Sequence, residues 1–192
     1  MTFTVYRKYL WDTLVKIDES QVKNLFNILI EAYENDKTVF VIGNGGSAAN
    51  ASHFAQDLAK GTRLYLDQKK RIKALSLTDN LPFFSALAND DGYDSVFEQQ
   101  LMTFAKSSDL LIAISGSGNS RNIIKAVEWA NDNGLETVGV TGFDGGKLRQ
   151  INKYSLHVPL NDMCSVESIH STIFHYIVLE LQEYIRKSGV RR

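Results

Sequence analysis

The sequence predicts an α/β chain in three layers, with helices on both faces of a mainly parallel sheet. Three observations carry this. Five short apolar runs, residues 38–42, 72–77, 110–114, 137–140 and 155–158, read as buried strands. Amphipathic stretches fall between them at about 47–60, 81–105, 119–133 and 145–151, and a repeated strand–helix order is what crossovers between parallel strands require. Two loops, Gly43-Asn44-Gly45-Gly46-Ser47 and Ser115-Gly116-Ser117-Gly118-Asn119-Ser120, each follow a strand and open a helix. Sheets of this kind bind their ligands at such carboxyl ends.

Ahead of the first strand, Leu10, Leu14, Ile17, Val22, Leu25, Phe26, Leu29, Ile30 and Tyr33 recur at spacings near three and four, and Asp18-Glu19-Ser20 interrupts them. Two helices are expected there. Their apolar surface has two outlets, an oligomer interface and the chain's own sheet. After the last strand, residues 165–187 read as one long helix whose stripe is Val166, Ile169, Ile173, Phe174, Ile177, Val178, Leu181 and Ile185. With only two prolines and no low-complexity linker, residues 1–192 are expected to form a single domain.

Charge and cysteine content exclude several classes. Lys and Arg number 21 against 22 Asp and Glu, and no basic run exceeds Lys69-Lys70-Arg71, so no nucleic-acid surface is indicated. Arg191-Arg192 reads as a frayed tail. A single cysteine, Cys164, excludes an intramolecular disulfide, and Met1-Thr2-Phe3-Thr4-Val5 lacks the regions of a signal peptide. No apolar run approaches the roughly 20 residues that span a bilayer. The expectation is a cytoplasmic protein with neither nucleic-acid nor membrane partners.

In the serine loop, small residues let the backbone approach a ligand while Ser115, Ser117 and Ser120 add hydroxyl donors. Together with the helix that follows, this suits a phosphate. No Lys follows the glycines as in a Walker loop, and the dinucleotide spacing is absent, which points to a phosphorylated small molecule rather than a nucleotide. The other reading is a polar turn in which Asn119 or Ser120 caps the helix.

His53 and Asp57, four apart on the helix opened by Ser47, share a face. They can hold a divalent metal, act as an acid/base pair, or simply bond each other at the surface. On the last helix Glu167 and His175 lie eight apart, about 80° around the axis. Together, His53, Asp57, Glu167 and His175 supply the two nitrogens and two oxygens that suit zinc. His170 sits about 140° from His175 and is assigned to packing or capping, and His157, between Leu156 and Val158 on a strand, to structure. Asn89-Asp90-Asp91-Gly92-Tyr93 reads as a simple turn, or else its Asn89 and Asp90 hydrogen-bond sugar hydroxyls. Thr78-Asp79-Asn80 is a similar candidate, with helix capping as the alternative.

These residues, with His53-Phe54-Ala55, Ala88-Asn89-Asp90-Asp91-Gly92-Tyr93 and Gly145-Gly146-Lys147-Leu148, resemble the sedoheptulose-7-phosphate isomerases, or phosphoheptose isomerases, of the sugar-isomerase (SIS) domain proteins. The likeness runs in order along essentially the whole chain. It implies a flavodoxin-like SIS domain and a homotetramer with the N-terminal helices in a central bundle, its active sites at subunit contacts. The implied reaction converts sedoheptulose 7-phosphate into D-glycero-D-manno-heptose 7-phosphate, the first step toward activated heptose. By position, Ser47, Ser115, Gly116, Ser117 and Ser120 would hold the phosphate, and Asn44, Gly45, Gly46, Asn89 and Asp90 would line the sugar site. His53, Asp57, Glu167 and His175 would hold one Zn2+ per subunit, with Asp57, Glu167 and His175 also catalytic and Asp57 and Glu167 also touching substrate.

Three positions depart from the family pattern. Asp57 stands where the common enzymes have a glutamate, Glu167 where they have a glutamine, and Gly116 where they have a threonine. Aldose–ketose isomerisation moves a proton between neighbouring carbons through an enediol and needs a base, an acid and stabilisation of the oxyanion. Asp57 reaches about 1.5 Å less than a glutamate, and a misplaced base costs about 10²-fold in rate. A second carboxylate at Glu167 can take over as base or bind the metal more tightly, so Asp57 and Glu167 read as a paired change. The alternatives are the same chemistry on another ketose phosphate, and a non-catalytic SIS protein that binds a sugar phosphate or the replication initiator. Retention of His175 argues against the latter.

Overall fold

The structure is a computed structural model and describes residues 1–188; Arg191-Arg192 lies outside them. Helices α1 (Phe3–Leu14) and α2 (Glu19–Glu34) precede β1 (Thr38–Gly43), α3 (Gly46–Gln56), β2 (Lys73–Ser76), α4 (Leu81–Asp90) and α5 (Glu98–Phe104). There follow β3 (Leu110–Ser115), α6 (Arg121–Asp132), β4 (Glu136–Thr141), α7 (Leu148–Ile151), β5 (Tyr154–His157) and α8 (Met163–Lys187). All five predicted strands form and pair in parallel in the order β2-β1-β3-β4-β5, the flavodoxin-like arrangement. The strand order reverses between β1 and β3. Their register sets Gly43 opposite Ile114, so the two glycine/serine loops emerge side by side at this switch point.

Every residue of β3 is buried, as are all but the first residues of β1 and β4, which is why these runs carry no polar alternation. One sheet face is covered by Leu25 and Leu29 of α2, Phe54 of α3, and Phe174 and Ile177 of α8. The opposite face is covered by Phe97, Leu101, Ile123, Val127 and Leu148. Of the two outlets foreseen for the N-terminal helices, α2 takes the chain's own sheet. While α2 buries Leu25, Ile28, Leu29 and Ala32 on the sheet, α1 leaves Phe3 and Trp11 78% and 64% exposed.

Three helices differ from their expected spans for local reasons. The 47–60 stretch is α3 followed by a wide π turn over Asp57–Gly61, a form that recurs at functional sites. The 81–105 stretch is broken. Gly92 sits at φ 87°, open to glycine but not to most side chains, and turns the chain from α4 into one 3₁₀ turn, Tyr93–Ser95, before α5. Of 145–151 only α7 is helical, because Gly145 and Gly146 also have positive φ.

His170 on α8 is fully buried, with Nε2 3.1 Å from the Thr141 carbonyl, while His157 on β5 places Nδ1 3.0 Å from the Thr141 hydroxyl. Both roles are structural. Burial pushes the His170 imidazole down from its ordinary 6.5 to about 4. Because the fold depresses this pKa, the contribution is complete above the unfolded value of 6.5 and is lost as pH falls through about 4. A loss of about 3 kcal/mol between pH 7 and pH 4 is expected from this group. Urea unfolding across that range should therefore show a flatter pH dependence in His170→Gln than in the native chain.

Candidate active site

The first loop turns tightly into α3. Gly45 adopts φ 56° and ψ −124°, and a side chain at Gly43 would meet the Ser47 backbone. Asn44 is held by a reciprocal amide pair. Its Nδ2 donates to Asn122 Oδ1 at 2.9 Å, and Asn122 Nδ2 donates back to Asn44 Oδ1 at 3.0 Å. Asn122, buried on α6, ties the two loops together; sequence reasoning gave it no role.

In the serine loop Ser115 is buried, and its hydroxyl lies 3.4 Å from that of Ser120. Ser120 occupies the N-cap position of α6 without making a side-chain cap bond. Asn119 instead donates to the Ser117 carbonyl at 3.0 Å and accepts from the Lys147 N–H at 3.1 Å. Neither side chain caps the helix, so the Ser120 hydroxyl is not spent on its first turn, where the Ile123 N–H is taken by Asn122 Oδ1 at 3.0 Å. That arrangement suits an anion better than a closed turn does. A Cβ at Gly116 would meet the Met163 thioether, the end of a flexible side chain that would have to shift aside.

The second half of the site is built by α3 and α8, which lie side by side and parallel. Gly46 faces Glu167, Asn50 Nδ2 donates to the Glu167 carbonyl at 3.0 Å, and Gln182 Nε2 donates to the Gly61 carbonyl at 2.9 Å. Phe54 and Phe174 stack between them at 4.2 Å with their planes 10° apart. Each is the sequence neighbour of a histidine, and the stack brings the His53 and His175 rings to 5.0 Å between centroids, edge to face. Asp57, where α3 widens, sets Oδ2 3.3 Å from His53 Nε2 and 3.7 Å from His175 Nε2. The three ligand atoms all lie within 4.8 Å of one another. Two imidazoles and a carboxylate at this separation fit a divalent ion that prefers nitrogen and oxygen donors.

Glu167 stands apart from that trio. It lies eight residues, about 12 Å, back along α8. Its carboxylate lies against the backbone of Gly46, where a Cβ would overlap it. A carboxylate there gains from the N-terminal dipole of α3. Asn89 and Asp90 end α4 in solvent, joined to each other by a 2.7 Å bond. Asn80 accepts from the Phe83 N–H at 3.2 Å and so caps α4, as the alternative reading of Thr78-Asp79-Asn80 foresaw.

The fold and the site together define a class, an α/β sugar-isomerase domain with paired loops at its switch point. A family model described as SIS domain matches residues 2–142. The chain belongs to that family and, within it, to the phosphoheptose isomerases. It is 37% identical over 175 residues to the phosphoheptose isomerase of Helicobacter pylori (strain P12), covering 91% of this chain and 89% of the relative. It is 38% identical over 169 residues to that of Aliarcobacter butzleri (strain RM4018), covering 86% and 88%. The solved phosphoheptose isomerase of Neisseria gonorrhoeae superposes with a TM-score of 0.80 at 28% identity, over 92% of this chain and 91% of that one.

Proposed function

We propose that the chain is a cytoplasmic phosphosugar isomerase that converts sedoheptulose 7-phosphate into D-glycero-D-manno-heptose 7-phosphate. The observation that carries this is the His53–Asp57–His175 trio on the helices that flank the paired loops. A module that only bound a sugar phosphate would have no use for it. In this reading Ser47, Ser115, Gly116, Ser117 and Ser120 hold the phosphate, while Asn44, Gly45, Gly46, Asn89 and Asp90 contact the sugar.

Proton transfer between the two carbons falls to the carboxylates and His175. Asp57 lies within reach of both imidazoles and serves as acid or base beside them. Glu167, next to the first loop, accepts from a sugar hydroxyl or shares the base role. His53, Asp57 and His175 would hold Zn2+, and Glu167, which stands apart from them against Gly46, would have to swing toward the trio to add a fourth donor. When bound, the ion polarises the substrate oxygens.

His53 and His175 are both about half exposed, their side chains at 51% and 52%, which leaves room for a neighbouring subunit to close the site. The homotetramer has its own support. A groove of about 760 Å³ is lined by Leu14, Ile17, Val22, Phe26, Ile173 and Tyr176. With the exposed face of α1 it offers the apolar surface a helical bundle buries.

Proton NMR of the purified protein with sedoheptulose 7-phosphate in D₂O, with and without zinc, tests the reading. New heptose anomeric signals with deuterium uptake are expected. Neither product nor exchange would remove this substrate and favour another ketose phosphate.

A further inference from the structure

Helix α4 has no buried residue, and its last two residues and the four that follow, 89–94, are all exposed. The segment that carries Asn89 and Asp90 is thus held by few contacts. Phe84, Leu87 and Ala88 pack partly against the core, and downstream Ser95, Val96 and Phe97 are buried. Between these anchors, Gly92 turns Tyr93 back toward the first loop. The Tyr93 ring lies edge-on to Phe84 at 5.9 Å, and its hydroxyl donates to Asn44 Oδ1 at 2.8 Å. Asp94 also faces Arg121, at 3.9 Å, but both side chains are more than half exposed, and such pairs hold little.

Asn44 is a firm anchor, because the buried Asn122 already fixes its amide. We infer that Tyr93 is a positioning residue: its hydroxyl latches the Asn89–Asp90 segment to the first loop and so sets the distance at which that segment meets the sugar. The inference rests on the proposed sugar-contacting role of Asn89 and Asp90. Tyr93 need not touch the substrate. Four of the five phosphate residues, Ser115, Gly116, Ser117 and Ser120, lie on the other loop, and the latch reaches the first loop at Asn44 rather than at Ser47.

Tyr93→Phe removes the latch and keeps the ring on Phe84. Amide hydrogen exchange in peptides covering residues 88–95 is expected to quicken about five-fold, the loss of one hydrogen bond. With sedoheptulose 7-phosphate, KM is expected to rise about five- to ten-fold with little change in kcat, while affinity for inorganic phosphate and the thermal midpoint stay put. Unchanged exchange overturns the latch, and so does an equal loss of phosphate affinity, which would mean that the whole site had loosened. Failure of the native protein to turn over the sugar would sink the proposed reaction instead, and the exchange measurement would still decide the role of Tyr93.

Discussion

Asp57→Ala is expected to lower kcat/KM for sedoheptulose 7-phosphate by at least about 10²-fold, the range of a lost or misplaced acid/base group. The same substitution should reduce bound zinc, measured by elemental analysis after dialysis. Both effects follow from one geometry, because Asp57 is the only carboxylate in the trio and faces both imidazoles at 3.3 and 3.7 Å. Removing it leaves two imidazoles to hold a cation that needs anionic or further neutral donors. Glu167→Gln separates the roles. If Glu167 is the base, this variant loses activity as Asp57→Ala does but keeps its metal; if Glu167 is a ligand, metal falls as well. Full activity in both variants would dismiss the idea that Asp57 and Glu167 are a paired change.

The central strands β1, β3 and β4 were legible because burial on both faces leaves no polar alternation to confuse the reading, and the loops were legible because glycine and serine cluster only where the backbone must turn. His53 and Asp57 share one helix, so their spacing announced them. His175 could be joined to them only through the parallel packing of α3 on α8, which the Phe54–Phe174 stack fixes and which no local pattern encodes. The likeness to a known family supplied that join. Asn122 and Tyr93 escaped for the same physical reason: their partner, Asn44, lies 78 and 49 residues away. Isolated polar residues on a helix and an exposed turn carry no period and no motif. The turn at Gly92 was read from Asn89-Asp90-Asp91-Gly92-Tyr93, but the division of the 81–105 stretch into two helices was not, because helical periodicity resumes on its far side.

The second large effect is expected at Gly118. Substitution by alanine should cost about 3 kcal/mol of stability and at least about ten-fold in affinity for inorganic phosphate, read by urea unfolding and calorimetric titration. Gly118 has φ 66°, and a Cβ there would run into the Gly145 carbonyl, backbone that cannot swing aside as a side chain can. The approach is close because two loops interlock. Leu148 N–H donates to the Gly118 carbonyl at 2.9 Å, and Lys147 N–H donates to Asn119 Oδ1 at 3.1 Å. Forcing them apart moves Ser117 and Ser120 out of the cradle. Gly92→Ala provides the contrast, since its φ of 87° is equally unfavourable but nothing lies within 4 Å of the added carbon. Only the backbone term of about 1 kcal/mol should appear there, with phosphate affinity unchanged. Equal losses at the two glycines would assign the whole cost to backbone conformation and leave the interlock without a part in holding the phosphate loop.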